Sequence, residues 1–346
     1  MRAVVADGIG RVRVDDVQEP TVRDAADAVV RITVSAICGS DLHFFNGKAP
    51  LESGEGMGHE AVGVVESVGE AVRHVRRGDR VVVAFVVACG ACWFCDRGQT
   101  GLCEQSAVFG TGLFGGGMPG AQAERLRVPV ADVNLLPIPA DIDDERAVFV
   151  ADVLTTAVYT ATLASAASSD TVAVVGAGPV GLLSAQALAA TGVARVLVLD
   201  RDADRLVLAS RAGAATVDVG RRNPQTAVAD LTGGRGADVA IDAVGHPDAF
   251  ATALDVVRRG GRVVVVGMYA GESVETQLGV WWARGLDVRF AGVCPVHAHW
   301  HEAMRLLATG AVDPLPLVSH RLRLSDAQAG YDLFDRREAT KVMLRP

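Results

Sequence analysis

The run Gly176-Ala177-Gly178-Pro179-Val180-Gly181 narrows the folds open to this chain more than any other stretch. It follows the apolar segment TVAVV, opens an Ala/Leu-rich segment of helical pattern, and is succeeded by the strand-like ARVLVLD, which closes on Asp200. That strand, turn, helix and strand form the context of a dinucleotide-binding fingerprint. The first glycine permits a tight turn, the second lets backbone approach a pyrophosphate, and the third allows close packing of helix on strand. The anion then rests on the helix N-terminus. Asp200 stands about 20 residues on, where a carboxylate accepts from ribose hydroxyls and repels a 2′-phosphate. NAD is therefore expected, with NADP the alternative because Arg201 and Arg205 lie close in sequence. Val244 and Gly267, within the later strand-like runs ADVAIDAVG and GRVVVVGMY, are further cofactor-binding candidates. Such continuous Val/Ile/Leu runs predict strands buried on both faces, hence an α/β, doubly wound parallel sheet of Rossmann type covered by helices.

Upstream of about Asp170 the pattern differs. Short Val-rich runs, VVRITVSAI, EAVGVVESVG and DRVVVAFVVA, alternate with glycines and predict a β-rich, partly closed domain. Two domains suit a length of 346 residues, beyond which a single core rarely grows. Only 5% of residues are aromatic while 50% are hydrophobic, which fits Val- and Ala-rich packing and excludes a disordered or disulfide-stapled chain. A net charge of −8 with no polybasic run argues against nucleic acid and anionic membrane as partners and points to small molecules. MRAVVADGIGRVRV has charges among its apolar residues, and no run reaches membrane-spanning length, so a cytoplasmic enzyme is expected.

Four of the six cysteines, Cys89, Cys92, Cys95 and Cys103, fall in one short loop. In a reducing compartment that density reads as metal binding. Four thiolates close a tetrahedral shell around zinc without leaving room for substrate, so the metal would be structural. An iron–sulfur cluster is the competing reading, since thiolate identity alone does not separate the two. A second set is dispersed: Cys38 in CGSDLH, His59 and Glu60 in GMGHE, and Asp152 in VADVLTTAVYT.

These segments, with the spacing of GHE and the glycines from Gly58 to Gly69, the four-cysteine loop and GAGPVG in the same order, resemble the zinc-containing alcohol dehydrogenases of the medium-chain dehydrogenase/reductase superfamily over essentially the whole chain. The run GGGMPGAQAERLRVPVADVNLLPIP is most similar to the branch of formaldehyde-dehydrogenase-like and short-chain alcohol dehydrogenases. Arg125 stands where that branch carries an aromatic residue, so the branch's substrate preference is not carried over.

The resemblance implies a GroES-like catalytic domain over 1–153 with its zinc loop at 89–103, a Rossmann domain over 154–293, and a return to the catalytic domain over 294–346. It implies two zinc ions per chain. One is the loop's; the other is catalytic, held by Cys38, His59 and Asp152, with Glu60 an alternate ligand or a supporting carboxylate. Three protein ligands plus an open position is the arrangement known for catalytic zinc in alcohol dehydrogenase. Asp152 stands where other branches place a second cysteine, and a carboxylate donates less charge than a thiolate, so the ion would be more Lewis-acidic. A hydroxyl at the Ser40 position implies a proton relay, which His43 could continue toward solvent. The expected reaction interconverts an alcohol with an aldehyde or ketone by hydride transfer to or from NAD(H). The alternatives are a polyol- or threonine-type zinc dehydrogenase and, from another class, a non-catalytic NAD-binding redox sensor. A homodimer or homotetramer is expected by the same likeness. His297, His299 and His301 alternate along a helix start and read as unrelated to metal. Cys294 reads as a buried thiol, Trp281 and Trp282 as packing or interface residues, and Phe44, Phe45, Leu113 and Phe114 as belonging to pocket-lining loops.

Overall fold

The computed structural model describes residues 1–112 and 115–346. They divide into two compact units, the first comprising Met1–Thr155, Val293–Ala308 and Asp313–Pro346, the second Thr156–Gly292 with Thr309–Val312. The sequence reading put the changes at 153/154 and 293/294; helix Val153–Ala164 instead begins in one unit and continues into the other. Thr309–Val312, just past helix Val296–Ala308, groups with the second unit although its flanks do not. Leu113 and Phe114 lie outside the described residues.

A seven-stranded sheet forms the frame of the first unit, in the order Val318–Arg323, Lys341–Arg345, Ala28–Ile37, Glu60–Val68, Arg80–Val83 and Leu135–Pro137, with Arg125–Val128 also paired to Ala28–Ile37. The C-terminal strand joins antiparallel to Ala28–Ile37, so the tail completes a sheet begun near the N-terminus. One side packs Val30, Ile32, Val65, Val81 and Leu126 into a dry core. The expected single strand DRVVVAFVVA is broken. Ala84 donates its amide to Asn134 O (3.0 Å) and Phe85 to Ala151 O (3.3 Å), so the chain leaves the sheet and Val86–Val87 pairs with Ala107–Val108 instead.

In the second unit six parallel strands run in the order Ala215–Asp218, Arg195–Asp200, Thr171–Val175, Ala237–Asp242, Val257–Val265 and Asp287–Phe290. The first strand in sequence is thus central, and the order reverses between it and Ala237–Asp242, the switch point where such sheets bind ligands. Every residue of Thr171–Val175 is buried, as a continuous apolar run with a helix layer on each face requires. No single helix among the described residues is long and apolar enough to cross a membrane.

Candidate metal and dinucleotide sites

At the switch point the glycines behave as their separate tasks demand. Gly176 has φ +102°, a left-handed conformation that a side chain resists, and a Cβ there would come within 2.5 Å of Val244. Gly178 caps helix Pro179–Ala190, and nothing lies within 4 Å of where its Cβ would be, leaving the helix N-terminus open to an anion. A Cβ on Gly181 would sit 1.9 Å from Gly176 O, so only glycine permits that helix–strand approach. Val244 donates its amide to Asp242 Oδ1 (2.9 Å), and Gly267 packs so tightly on the Val244–Gly245 turn that a Cβ would fall 2.0 Å from Gly245 N. Asp200 Oδ2 accepts from Ala177 N (2.6 Å), and its Oδ1 accepts from Arg201 N (2.7 Å) and Asp202 N (2.9 Å). The acid expected to meet a ribose thus also pins the glycine turn to the second strand. Arg201 is exposed, whereas Arg205 lies 3.6 Å from Asp202.

Four sulfurs converge in the cysteine loop. Cys89 and Cys95 are 4.0 Å apart, Cys92 and Cys95 3.5 Å, and Cys92 and Cys103 3.8 Å. A tetrahedral zinc with Zn–S near 2.3 Å requires sulfur–sulfur edges of about 3.8 Å. These separations are far beyond a disulfide and match thiolates sharing one ion rather than bracketing a cluster of several. Amides of Cys89 and Gln105 donate to Cys103 Sγ and that of Ala91 to Cys89 Sγ. Backbone donors around Cys92, chiefly at Glu104, lower that thiol to about 6, whereas burial and the hydrogen bond with Cys92 push the Cys95 thiol up to about 12, so metal binding at the loop releases protons.

The dispersed set also converges. Cys38 follows strand Ala28–Ile37, His59 precedes strand Glu60–Val68, and Asp152 lies between Val148–Ala151 and helix Val153–Ala164. One ligand atom from each of Cys38, His59, Glu60 and Asp152 lies within 4.8 Å of every other. Asp152 Oδ2 is 3.6 Å from Cys38 Sγ and 3.2 Å from His59 Nε2. Tetrahedral zinc calls for about 3.6 Å between sulfur and oxygen and about 3.4 Å between nitrogen and oxygen, so the trio fits one ion. Cys38 and Asp152 would supply a thiolate and a carboxylate to balance a divalent ion. Ser40 Oγ stands 3.3 Å from Cys38 Sγ and 3.4 Å from His59 Nε2, within reach of whatever group binds there. His43 follows one turn later on the short helix Asp41–Phe45, half-buried.

The family model for the alcohol dehydrogenase GroES-like domain matches residues 24–140, and that for zinc-binding dehydrogenases matches residues 179–309. A zinc-type alcohol dehydrogenase-like protein of Bacillus subtilis is 36% identical over the whole of both chains. This chain belongs to the zinc-type alcohol dehydrogenase family. Among solved structures, the alcohol dehydrogenase TADH from Thermus sp. ATN1 is 41% identical, covers 100% of this chain and 99% of its own, and superposes with a TM-score of 0.95. Galactitol-1-phosphate dehydrogenase from Escherichia coli is 26% identical over 100% of both chains, with a TM-score of 0.89.

Around this family member's metal pocket lie residues that sequence reasoning missed. Asp41, 1% exposed, places Oδ1 3.0 Å from His59 Nδ1, an ion-pair contact off the hydrogen-bond axis, while its Oδ2 accepts the Cys38 amide at 2.9 Å. One carboxylate thereby orients two ligands, the partnership that metal-binding histidines generally require. Behind it Gln122 Nε2 is 3.5 Å from Asp41 and Gln122 Oε1 accepts from Tyr331 at 3.0 Å, so helix Ala327–Asp335 buttresses the pocket. Burial disfavours a charged His59, yet the negative charge of Asp41 and the close polar contacts with Asp152, Asp41 and Cys38 raise its pKa well above the usual value. Burial, then the charges of Asp152 and Glu60, raise the Cys38 thiol. Any metal must therefore displace protons to bind.

Other candidates fall away from both centres. His297 is held at about 4 by burial, with Nε2 2.9 Å from Asn134 Oδ1. Neither it, His299 nor His301 joins a metal-ligand group among the described residues. Cys294 is buried, Trp281 packs edge-on against Phe250, and Trp282 is 85% exposed.

Proposed function

We propose that this protein oxidises a small-molecule alcohol to an aldehyde or ketone, and catalyses the reverse reduction, using zinc held by Cys38, His59 and Asp152 and NAD(H) as the hydride carrier. One observation carries the reading: a sulfur, a ring nitrogen and a carboxylate oxygen at single-ion spacing, with a hydroxyl, Ser40 Oγ, beside them. When bound, zinc supplies the Lewis acidity that makes an alcohol proton labile near neutral pH, and the nicotinamide accepts the hydride.

The chain's own groups do the rest. Asp41 fixes the imidazole of His59 so that Nε2 faces the ligand cluster, and it holds the Cys38 backbone through its amide. Ser40 Oγ takes up the hydroxyl proton and passes one on, with His43 as the next carrier; a hydroxyl can accept and donate at once. Gly176, Gly178 and Gly181 let the pyrophosphate approach the N-terminus of helix Pro179–Ala190. The charge of Asp200 favours the ribose hydroxyls of NAD and opposes a 2′-phosphate. Use of NADP is the second reading, supported by exposed Arg201 beside it; solved relatives include one complexed with NADH and another bound to NADP. Among substrates, polyols and amino alcohols stand beside simple alcohols, since relatives include the galactitol-1-phosphate enzyme and an L-threonine 3-dehydrogenase.

A panel of alcohols, polyols and amino alcohols with NAD and NADP, run on protein of measured zinc content, tests the proposal. Alcohol-dependent NADH formation that disappears on chelation and returns with zinc is expected. Failure of every substrate to reduce either nucleotide, with zinc fully loaded, would refute it. Ser40→Ala is expected to lower kcat about 10²-fold while sparing NAD affinity; wild-type turnover would remove Ser40 from the relay.

A further inference from the structure

Asp242 closes strand Ala237–Asp242 at the switch point, and its carboxylate is buried without a cation among its hydrogen-bond partners. Three neutral donors meet it instead. Oδ1 accepts the amides of Val244 (2.9 Å) and Gly245 (3.1 Å), and Oδ2 accepts the hydroxyl of Tyr269 at 2.7 Å. The backbone carbonyl of Asp242 takes two more amides, Val266 (2.9 Å) and Gly267 (3.0 Å), from just past the neighbouring strand Val257–Val265. One residue thus binds two loops at the same end of the sheet, 243–246 and 266–269. A buried charge met only by dipoles is costly unless those bonds are kept. The loops also interlock, since Gly245 has φ +77° and a Cβ there would fall 2.2 Å from Met268 O. What they carry is Val244, half exposed yet packed so closely on Gly176 that a Cβ on that glycine would meet it at 2.5 Å. An apolar side chain is therefore presented to solvent beside the glycine turn proposed to take the pyrophosphate.

We infer that Tyr269 is a positioning residue for the dinucleotide, whose hydroxyl acts through Asp242 to fix the Val244–Gly245 turn beside Gly176 before the cofactor arrives. The inference rests on the proposed nicotinamide-dinucleotide reading of that glycine turn. Tyr269 suits the task. Its ring packs on the hydrophobic core of the second unit, and its hydroxyl also lies 3.1 Å from His246 O, so the phenol is anchored from two sides. Burial, then the bond to Asp242, raises the phenol above its usual pKa, which keeps the proton in place and the group a donor. With that bond made, the carboxylate is held at both oxygens and the turn has one position. With it lost, Oδ2 has no partner, Asp242 turns to find one, and the two amides it holds loosen. The cofactor must then order the turn as it binds, and the cost of ordering is subtracted from its affinity. The candidate zinc ligands all belong to the first unit, so the loss falls on the nucleotide.

The test uses the zinc-loaded full-length protein and follows, by fluorescence of the reduced nucleotide, the binding and release of NADH or NADPH, whichever the wild type binds more tightly. Tyr269→Phe, which keeps the ring, is expected to raise Kd about tenfold, chiefly through faster release, with zinc content unchanged. A merely structural hydroxyl would lower the thermal midpoint and leave release as it is. In an Asp242→Ala background, where no carboxylate remains to be held, Tyr269→Phe should alter Kd by less than about twofold. Asp242→Asn keeps an oxygen for the two amides but loses the charge that draws the phenol. In that background Tyr269→Phe should cost only about threefold, which supplies the comparison if Asp242→Ala folds poorly. Unchanged Kd and release in Tyr269→Phe, or an undiminished effect in either Asp242 background, overturns the inference while leaving the proposed function intact. Wild-type protein that binds neither nucleotide overturns both.

Discussion

The cysteine loop and the dispersed pocket both gather potential metal-ligating atoms within 4.8 Å of one another, but they are assembled in opposite ways. The loop draws its sulfurs from one segment, Cys89 to Cys103, and completes a shell of four like donors without help from the sheet. The pocket draws its atoms from the end of one strand, the start of another and the head of a helix, and comes into being only once the sheet has formed. A centre made locally can saturate its metal and stabilise a loop. A centre made by the fold can be tuned from behind by groups such as Asp41, which touches both His59 and the Cys38 amide. Metal in the first should govern stability, and metal in the second activity.

The sharpest way to break that contrast is Asp152→Ala. Losing the ligand forfeits several kcal/mol of transition-state stabilisation, so kcat/KM should fall roughly 10³-fold while the loop's zinc and the thermal midpoint stay near wild type. A large drop in Tm with activity retained would reverse the assignment. Cys103→Ser should do the converse, costing on the order of 3 kcal/mol of stability through loss of the loop's metal, with near-normal kcat in the folded fraction. Equal damage to activity and stability would show the two centres to be coupled.

Asp41→Asn is the subtler probe. At high pH, where protons do not compete, zinc affinity of the pocket should fall about tenfold because His59 loses its orienting charge. The pH dependence sharpens the comparison further. His59 and Cys38 carry raised pKa values, so their protons must leave before metal binds; affinity should increase with pH and be lost as pH falls through those values. In Asp41→Asn the chief charge raising His59 is gone, and the midpoint should move to lower pH. Chelator competition across a pH series measures both effects, and affinity that weakens toward high pH would contradict the sign.

Much of the architecture was legible because the demands are local. Gly176, Gly178 and Gly181 each answer a backbone requirement within one turn, and continuous apolar runs announce a parallel sheet. The cysteine loop is readable for the same reason. Residues around the dispersed pocket are not. Asp41 lies in plain view within CGSDLH, but its role depends on His59, brought beside it by strand pairing. Tyr331 meets Gln122 across 209 positions and Lys341 meets Glu60 across 281, separations at which spacing carries no signal. DRVVVAFVVA misled because the bonds that end it, to Asn134 and Ala151, come from remote segments.

The central claim is that an ion sits where Cys38, His59 and Asp152 meet. Anomalous diffraction recorded on either side of the zinc edge locates it directly. A peak within bonding distance of Cys38 Sγ, His59 Nε2 and an Asp152 carboxylate oxygen, separate from the peak in the cysteine loop, is the predicted result; zinc-replete crystals with density in the loop alone would contradict it.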